Sequence, residues 1–192
     1  MSAWNGGENI GEKLKKANES PNIKYRVLEV EKTDIRELIE LDENLFGIDR
    51  IGTEKLIYFL HHATWFPKLT PQTNNCLLGA AIFNEIDIIN AVNRPTLFFW
   101  AKSLGIFEKD LSLVSLDWML VRPQFQRQGI GSFLLKKAIS RFQSKNISYI
   151  VLHSHSRESK SFYESLGFYT IRTVPEYYKS GADSDLMVYF LL

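Results

Sequence analysis

Residues 113–142 read LVSLDWMLVRPQFQRQGIGSFLLKKAISRF and decide the class of fold. Between Leu113 and Val121 the residues alternate as in a buried strand. One face of this strand is predicted to be wholly apolar: Val114, Leu116, Trp118 and Leu120. Pro123 ends the strand because it has no N–H to pair with a neighbouring strand. Apolar residues then recur at helical spacing and predict an amphipathic helix whose inward side consists of Phe133, Leu134, Ala138 and Phe142.

A turn with two glycines separates the predicted strand from the helix. It reads Gln126-Arg127-Gln128-Gly129-Ile130-Gly131. The first turn of a helix leaves about four backbone N–H groups without partners at the positive end of the helix dipole. Glycines remove side chains that would keep an anion away, so this turn is suited to bind a phosphate. For a lone Gly-x-Gly the simpler explanation is a tight turn with close helix–strand packing, and the phosphate hypothesis therefore needs a second motif.

The second motif is SRESKSFYESLGF, residues 156–168. Together the two motifs resemble the GCN5-related N-acetyltransferase (GNAT) family. That family has a Gln/Arg-x-x-Gly-x-Gly/Ala pyrophosphate signature after its fourth strand, and a helix ending in a Tyr-x-x-x-Gly-Phe-like sequence. The resemblance runs from about residue 24 to the C-terminus and is strongest after Leu113. It implies an α/β (α+β) fold: a single mixed, mostly antiparallel sheet, splayed between strands 4 and 5 and flanked by helices on both faces.

The domain organisation follows from composition and from this resemblance. Residues 1–22 are rich in Gly, Asn, Glu, Lys and Ser and predict a flexible N-terminal arm. Residues 23–192 predict a single GNAT acetyltransferase domain, with residues 84–112 as an enlarged connection between strands 3 and 4. Within that connection, residues 95–104 predict a helix too apolar to be fully exposed. The alternatives for it are packing on the core, walling the acceptor pocket, or contacting a second subunit in a homodimer.

The other elements are predicted from hydrophobic period and from caps. Before residue 63 these are a strand at 24–30, a helix from an N-cap at Thr33 to Gly47, and a helix from about Thr53 to His62. Residues 63–75 predict a loop, because Pro67 and Pro71 interrupt them. Further strands are predicted at 77–83, 149–153, 169–174 and 186–192, with a helix from an N-cap at Ser156 to Gly167.

The composition restricts the classes of function. The chain has 192 residues, of which 45% are hydrophobic and 23% charged, as in a soluble globular domain. A net charge of +1 gives no basis for binding nucleic acid or an anionic membrane, and no apolar run is long enough to span one. Cys76 is the single cysteine and the histidines lack ligand spacing, so we expect no disulfide, no metal and a cytoplasmic location.

The resemblance implies acetyl-CoA as the acyl donor. Its pantetheine arm would enter between strands 4 and 5 and pair with the main chain of Met119, Leu120 and Val121. Its pyrophosphate would be bound by the backbone of the glycine turn: Gln126, Arg127, Gln128, Gly129, Ile130, Gly131 and Ser132. Arg127 and Lys160 are candidates for positive charge beside the phosphates. Ser156 stands where the family often has asparagine.

Two side chains are candidates for catalysis. Tyr163 corresponds to the family tyrosine near the sulfur, which makes it the candidate acid for the leaving thiolate. The alternative for Tyr163 is ring packing in the core. Asp117 lies in the fourth strand, where many GNAT sequences carry glutamate, and is the candidate base. Aspartate is shorter by one methylene, so proton transfer would pass through a water. The alternative for Asp117 is a structural carboxylate satisfied by backbone donors.

The acceptor is expected to be a primary amine, with a lean towards peptides and proteins. Deprotonating a lysine-type amine at pH 7 costs about 4.6 kcal/mol, whereas deprotonating an α-amine costs about 1 kcal/mol. A base that acts through a water suits the α-amine better. The segment PEYYKSGADSDLM resembles the last hairpin of ribosomal-protein and N-terminal acetyltransferases, so Tyr177 and Tyr178, with Phe46, are candidate acceptor contacts. The alternatives are a polyamine or amino-sugar acetyltransferase, a non-catalytic acyl-CoA-binding module, and an α/β domain without a CoA role.

Overall fold

The computed structural model describes residues 25–72, 76–86 and 112–191. These residues form seven strands, namely β1 (Tyr25–Glu29), β2 (Pro67–Pro71), β3 (Gly79–Ile86), β4 (Leu113–Val121), β5 (Tyr149–Ser154), β6 (Tyr169–Val174) and β7 (Ser184–Phe190). They also form four α-helices, α1 (Ile35–Phe46), α2 (Thr53–His62), α3 (Ile130–Gln143) and α4 (Arg157–Ser165). The predicted arm at 1–22 and the predicted helix at 95–104 lie outside the described residues.

The strands build one mixed sheet in the order β1-β2-β3-β4-β5-β7-β6. Only β4 and β5 are parallel neighbours, and every other neighbouring pair in this order is antiparallel. The α3 helix connects the two parallel strands, as a parallel connection requires a crossover. The predicted mixed, mostly antiparallel sheet is confirmed.

Helices cover both faces of the sheet, as the resemblance implied. One face packs on α3 and α4, in a core that includes Phe83, Leu134, Phe142 and Tyr163. The opposite face packs on α1 and α2, in a core that includes Leu38, Leu56, Ile82 and Trp118. Each helix supplies one apolar side, and the burial of these sides against the sheet is the main stabilising term.

A β-bulge at Asp117 separates the two halves of β4. The predicted assignment of its side chains to one face of the sheet is therefore wrong for the second half of the strand. Ile82 of β3 pairs with Trp118, but the next residue, Phe83, pairs with Leu116, so Asp117 is an extra residue in β4. Such an insertion shifts the alternation of side chains by one. Consequently Val114 and Leu116 lie in the α3/α4 core, as predicted for one face, whereas Trp118 and Leu120 lie in the α1/α2 core.

The prediction of a loop at 63–75 is wrong for Pro67–Pro71, which is strand β2. Its two prolines pair with Glu29 and Tyr25 at the ends of β1, so the ladder between them stays intact. Strand β3 also continues to Ile86, so the connection to β4 begins after residue 86 and not at residue 84.

The predicted N-cap at Thr33 is also wrong. Thr33 lies inside a 3-10 turn, Lys32–Asp34, that precedes α1, and the reciprocal capping pair is Glu31 with Asp34. The Asp34 carboxylate accepts a hydrogen bond from the Glu31 backbone at 2.7 Å, and Lys68 of β2 donates to it at 2.5 Å. This ion pair is nearly buried and attaches the start of α1 to the sheet.

Candidate functional site

The sheet opens between β4 and β5. The two strands pair only from Leu113 to Leu116, opposite Tyr149 to Leu152. Beyond this point β4 keeps its pairing with β3, and the last residues of β5 pair with β7. The open edge of β4 therefore carries the main chain of residues 117–121, which includes the predicted pantetheine contacts Met119, Leu120 and Val121. At the end of this edge, the Gln126 side-chain amide donates to the Val121 carbonyl at 3.0 Å.

The glycine turn after β4 presents a run of backbone amides. Among the residues that the structure describes, no hydrogen bond to a protein acceptor is found for the amides of residues 127–132. The first backbone bond of α3 runs from the Phe133 amide to the Gly129 carbonyl at 2.8 Å. Gly129 is the N-cap of α3, without a side-chain cap. An anion at this position would therefore find donors that the protein itself leaves unused.

The two glycines serve different purposes. Gly129 has a φ of +80°, and a Cβ there would meet nothing within 4 Å, so glycine is required by the backbone conformation. A Cβ on Gly131 would lie 3.2 Å from the Phe162 ring of α4. Close packing, which was the simpler explanation of the motif, thus explains the glycine at 131. At 129 the explanation is the positive φ of a turn that no side chain covers.

Tyr163 lies on the inner side of α4. Its ring centroid is 5.1 Å from that of Phe162 and 5.6 Å from that of Phe168, and the residue is 9% exposed. No hydrogen bond of its hydroxyl is found within the described parts of the chain. Burial raises the pKa of Tyr163 above its ordinary value, with a further contribution from Tyr178. The phenol therefore stays protonated at physiological pH and is available as a hydrogen-bond donor.

Asp117 stands at the bulge, where the sheet starts to open. The Asn84 side-chain amide donates to its carboxylate at 2.5 Å, and the residue is exposed. Alternation along β3 puts Asn84 on the α1/α2 face, together with Ala80 and Ile82. The carboxylate thus lies on the opposite face of the sheet from Tyr163.

Two of the other predicted phosphate contacts, Lys160 and Ser156, have protein partners in this structure. Lys160 of α4 forms an ion pair with Asp185 of β7 at 3.1 Å. Ser156 is the N-cap of α4, as predicted, and accepts a hydrogen bond from the Ser159 amide at 3.2 Å. Arg127 lies near the start of α4, since its charge contributes to lowering the pKa of Glu158, after the larger effects of a backbone hydrogen bond and of Ser156.

The loop between β6 and β7 packs its tyrosines on the end of β5. Tyr178 donates to the His153 carbonyl at 3.2 Å, and its ring centroid is 4.4 Å from that of His155. Burial raises the pKa of Tyr178 to about 12. Tyr177 stacks on His153 at 4.0 Å and remains 44% exposed. Phe46 ends α1 and is half-buried against the α1/α2 core.

Asp49 connects the turn after α1 to this same loop, a contact that sequence patterns did not reveal. Its carboxylate lies 2.8 Å from Nε2 of His155 and accepts a hydrogen bond from the Ser180 amide at 2.8 Å. These hydrogen bonds lower the pKa of Asp49 to about 2. The carboxylate therefore connects the turn after α1 with His155 at the end of β5 and with the β6–β7 loop.

Asp42 is a second acidic residue that was missed. It is 1% exposed, and its two oxygens accept hydrogen bonds from the amides of Ile51 and Gly52 and from the Trp118 indole. The sequence did contain a signal, because Asp42 follows Leu38 by four residues and so falls on the inward side of α1. A charged residue at such a position is normally satisfied by several donors.

His153 is expected to make folding stability depend on pH. Burial, with a contribution from the positive charge of Arg172, lowers the pKa of His153 to about 4. The unfolded chain binds this proton below about pH 6.5, whereas the folded chain does not until about pH 4. The stability it confers is therefore complete above pH 6.5 and is lost as the pH falls towards 4.

The variant His153→Gln should show a flatter dependence of unfolding free energy on pH in this window, measured by urea denaturation between pH 4 and pH 7. The pKa of Asp49 is lowered from 3.8 to about 2, so its titration changes stability below this pH window and not within it. Equal slopes for the variant and the parent would contradict the prediction.

Among the described residues, no group of three His, Cys, Asp or Glu side chains is arranged to hold a metal ion. None of the described helices combines the length and the apolar character needed to cross a membrane.

The comparisons with known proteins agree with this geometry. Residues 103–189 match the model of the acetyltransferase (GNAT) domain. The chain matches no curated protein. Among solved structures, the ribosomal-protein-S18-alanine N-acetyltransferase from Escherichia coli is similar with a TM-score of 0.66 at 18% identity, over 88% of this chain and 94% of that chain.

Two plant enzymes are similar as well. NAA60 from Arabidopsis thaliana, in complex with acetyl-CoA, has a TM-score of 0.73 at 16% identity, over 87% of this chain and 98% of that chain. Naa50 from Arabidopsis thaliana, in complex with the bisubstrate analogue CoA-Ac-MVNAL, has a TM-score of 0.65 at 18% identity, over 87% and 99%. Such low identities show the fold alone. Residues 103–189 thus carry the sequence of a GNAT acetyltransferase domain, and the described residues have the fold of the GNAT acetyltransferases.

Proposed function

We propose that this protein is an N-acetyltransferase that transfers the acetyl group of acetyl-CoA to a primary amine of a peptide or protein. One observation carries the proposal: the open edge of β4 leads directly into the turn at 127–132, whose amides have no acceptor among the described residues. A donor with an extended amide arm and a diphosphate matches these two features in the same order. The solved complex of NAA60 with acetyl-CoA shows that a protein of this fold takes that donor.

The two candidate catalytic groups lie on opposite faces of the sheet at its opening. Tyr163 belongs to the α3/α4 face, and Asp117 is bonded to Asn84 on the α1/α2 face. Acetyl-CoA supplies the thioester. Residues of the α3/α4 face would then contact its sulfur, and residues of the α1/α2 face would contact the attacking amine. In the reaction a C–N bond forms, the C–S bond breaks, and the amine loses one proton.

The raised pKa of Tyr163 defines its part in this reaction. A free thiol has a pKa of about 8.5, which is lower than that of a buried phenol. Complete proton transfer from Tyr163 to the thiolate is therefore uphill, and the phenol acts as a hydrogen-bond donor that stabilises charge on the sulfur. Asp117 accepts the proton of the amine through a water, which the exposure of the carboxylate permits.

Peptide amines are favoured as acceptors by the surroundings of Asp117. Tyr177 and Tyr178 cover the end of β5 beside the opening, and Asp49 joins their loop to the connection after α1. In the described part of the chain, the α1–α2 connection and this loop border an open groove. Naa50, which has this fold, was solved with an analogue that joins CoA to the peptide MVNAL.

Binding of acetyl-CoA is expected to stabilise the protein. At 100 times its dissociation constant, a ligand adds about 2.7 kcal/mol to the free energy of unfolding, which thermal denaturation detects. Gly129→Asp should abolish this shift, because it places a carboxylate among the amides proposed to bind phosphate. Gly181→Asp is the matched control: Gly181 has a φ of +82°, also faces open space, and lies in the β6–β7 loop.

An unchanged melting temperature with acetyl-CoA would contradict donor binding. Thiol release from acetyl-CoA, screened against peptides, polyamines and amino sugars, then separates the acceptor classes. Binding without turnover on any amine would indicate a non-catalytic acyl-CoA-binding module.

A further inference from the structure

Gly79 of β3 lies against the part of β4 that borders the opening of the sheet. It pairs with Val121, the last residue of β4. A Cβ at residue 79 would lie 2.7 Å from the Leu120 carbonyl oxygen and 3.4 Å from Cγ2 of Val121. A glycine weakens a strand, and one common reason for its presence is the close approach of another backbone. Here that backbone belongs to the segment proposed to pair with the pantetheine arm.

A side chain at residue 79 would displace β4 and not β3. At this level β3 is paired on both sides, with Leu69 of β2 and with Val121 of β4. Among the described strands, β4 is paired only with β3 here, because its ladder with β5 ends at Leu116. The Leu120 carbonyl would have to retreat by about 0.7 Å, from 2.7 Å to an ordinary contact of 3.4 Å. Gly79 therefore sets how closely the free edge of β4 can lie to β3.

Val121 connects this contact to the glycine turn. Its Cγ2 also lies 3.6 Å from the position that a Cβ on Gly131 would take, in the first turn of α3. Its carbonyl accepts the hydrogen bond from the Gln126 side-chain amide at 3.0 Å. Because Val121 packs beside Gly79 and also beside the turn, a shift of β4 changes the distance between its free edge and the amides of residues 127–132. A donor that binds to both segments must span that distance.

We infer that Gly79 is a positioning residue for the acyl donor, which lets β4 approach β3 so that its free edge and the glycine turn fit one ligand. This inference rests on the proposed function, and Gly79 acts through Leu120 and Val121. A misplacement of about 1 Å, caused by a residue away from the reacting atoms, can cost about 100-fold in rate. For a shift of about 0.7 Å we expect Gly79→Ala to weaken the binding of acetyl-CoA on the order of 10-fold.

The test is calorimetric titration of the full chain with acetyl-CoA and with ADP, which carries a diphosphate but no pantetheine arm. Gly79→Ala should raise the Kd of acetyl-CoA on the order of 10-fold and leave the Kd of ADP unchanged, because ADP does not span the two segments. In turnover, the KM for acetyl-CoA should rise by the same factor, while the KM for the peptide stays unchanged.

Gly47→Ala is the matched control, because it adds the same methyl group elsewhere. Gly47 has a φ of +52° and a Cβ there would meet nothing within 4 Å, so the change costs stability without displacing a strand. It should leave the Kd of acetyl-CoA unchanged. Urea denaturation checks the folding of both variants. If Gly79→Ala is unfolded in plain buffer, the titrations are made in sucrose, which favours the folded state.

The outcomes distinguish the two levels of proposal. A folded Gly79→Ala with the parental Kd for acetyl-CoA would overturn the positioning role and leave the acetyltransferase assignment in place. An equal loss of affinity for ADP, an equal loss in Gly47→Ala, or a Gly79→Ala chain that stays unfolded in sucrose would also overturn it, because Gly79 would then serve the fold alone. A parent that does not bind acetyl-CoA would overturn the proposed function and the inference with it.

Discussion

Tyr163→Phe is expected to lower kcat by about 10²-fold or more, with little change in stability. The ring, which packs between Phe162 and Phe168, is retained in the variant. Only the hydroxyl is lost, and it has no partner among the described residues that would be left unsatisfied. The loss should therefore appear in the chemical step, where the phenol is proposed to stabilise the leaving thiolate, and not in the KM for acetyl-CoA.

Steady-state thiol release with a reactive peptide measures this effect, and Tyr189→Phe is its control. Tyr189 also contacts Phe168, at 5.2 Å, so its replacement makes the same chemical change beside the same ring. The assignment of Tyr163 would be refuted by a Tyr163→Phe enzyme that retains the parental kcat. A ring that only packs in the core, the alternative for this residue, predicts that result.

Asp42→Ala is expected to destabilise the fold by about 3 to 5 kcal/mol. The buried carboxylate accepts from two backbone amides and from the Trp118 indole, and all three donors would lose their acceptor together. Each buried donor left without a partner costs about 1 to 3 kcal/mol. The loss is a large part of the total stability of a domain of this size. Because Asp42 bonds the amides of Ile51 and Gly52, the α1–α2 connection should loosen first.

Urea denaturation measures this cost directly. Asp42→Asn keeps one carbonyl acceptor at the same position, so a smaller loss is expected for it than for Asp42→Ala. Asn44→Ala is the helix control, because Asn44 lies two residues further along α1 and is exposed; it should change the free energy of unfolding by no more than about 0.5 kcal/mol. A cost for Asp42→Ala as small as the change for Asn44→Ala would show that the three donors find other partners.

Local patterns predicted the elements that build the donor side of the site. Strand β4 begins and ends where its alternation and Pro123 indicated, and α4 begins at the cap expected at Ser156. The glycine turn joins β4 to α3 as predicted. These features depend on the hydrophobic period, on caps and on backbone freedom, which are properties of adjacent residues.

The bulge at Asp117 shows where local patterns stop being informative. The sequence of β4 alternates without interruption, yet its second half packs on the opposite face from the one predicted. An extra residue opposite β3 becomes apparent only when two strands that are distant in the chain are paired. The same reason applies to β2, whose prolines look like breakers until they are placed at the two ends of a ladder with β1.

By itself the sequence determined the fold class, the order of most elements and the turn that precedes α3. The tertiary structure decided which charged groups meet on the acceptor side. Asp42 and Trp118 are 76 positions apart, Asp49 and His155 are 106 apart, and Asp49 and Ser180 are 131 apart. No periodicity connects residues at such separations, because their contact depends on how the sheet orders its strands and on which face each helix covers.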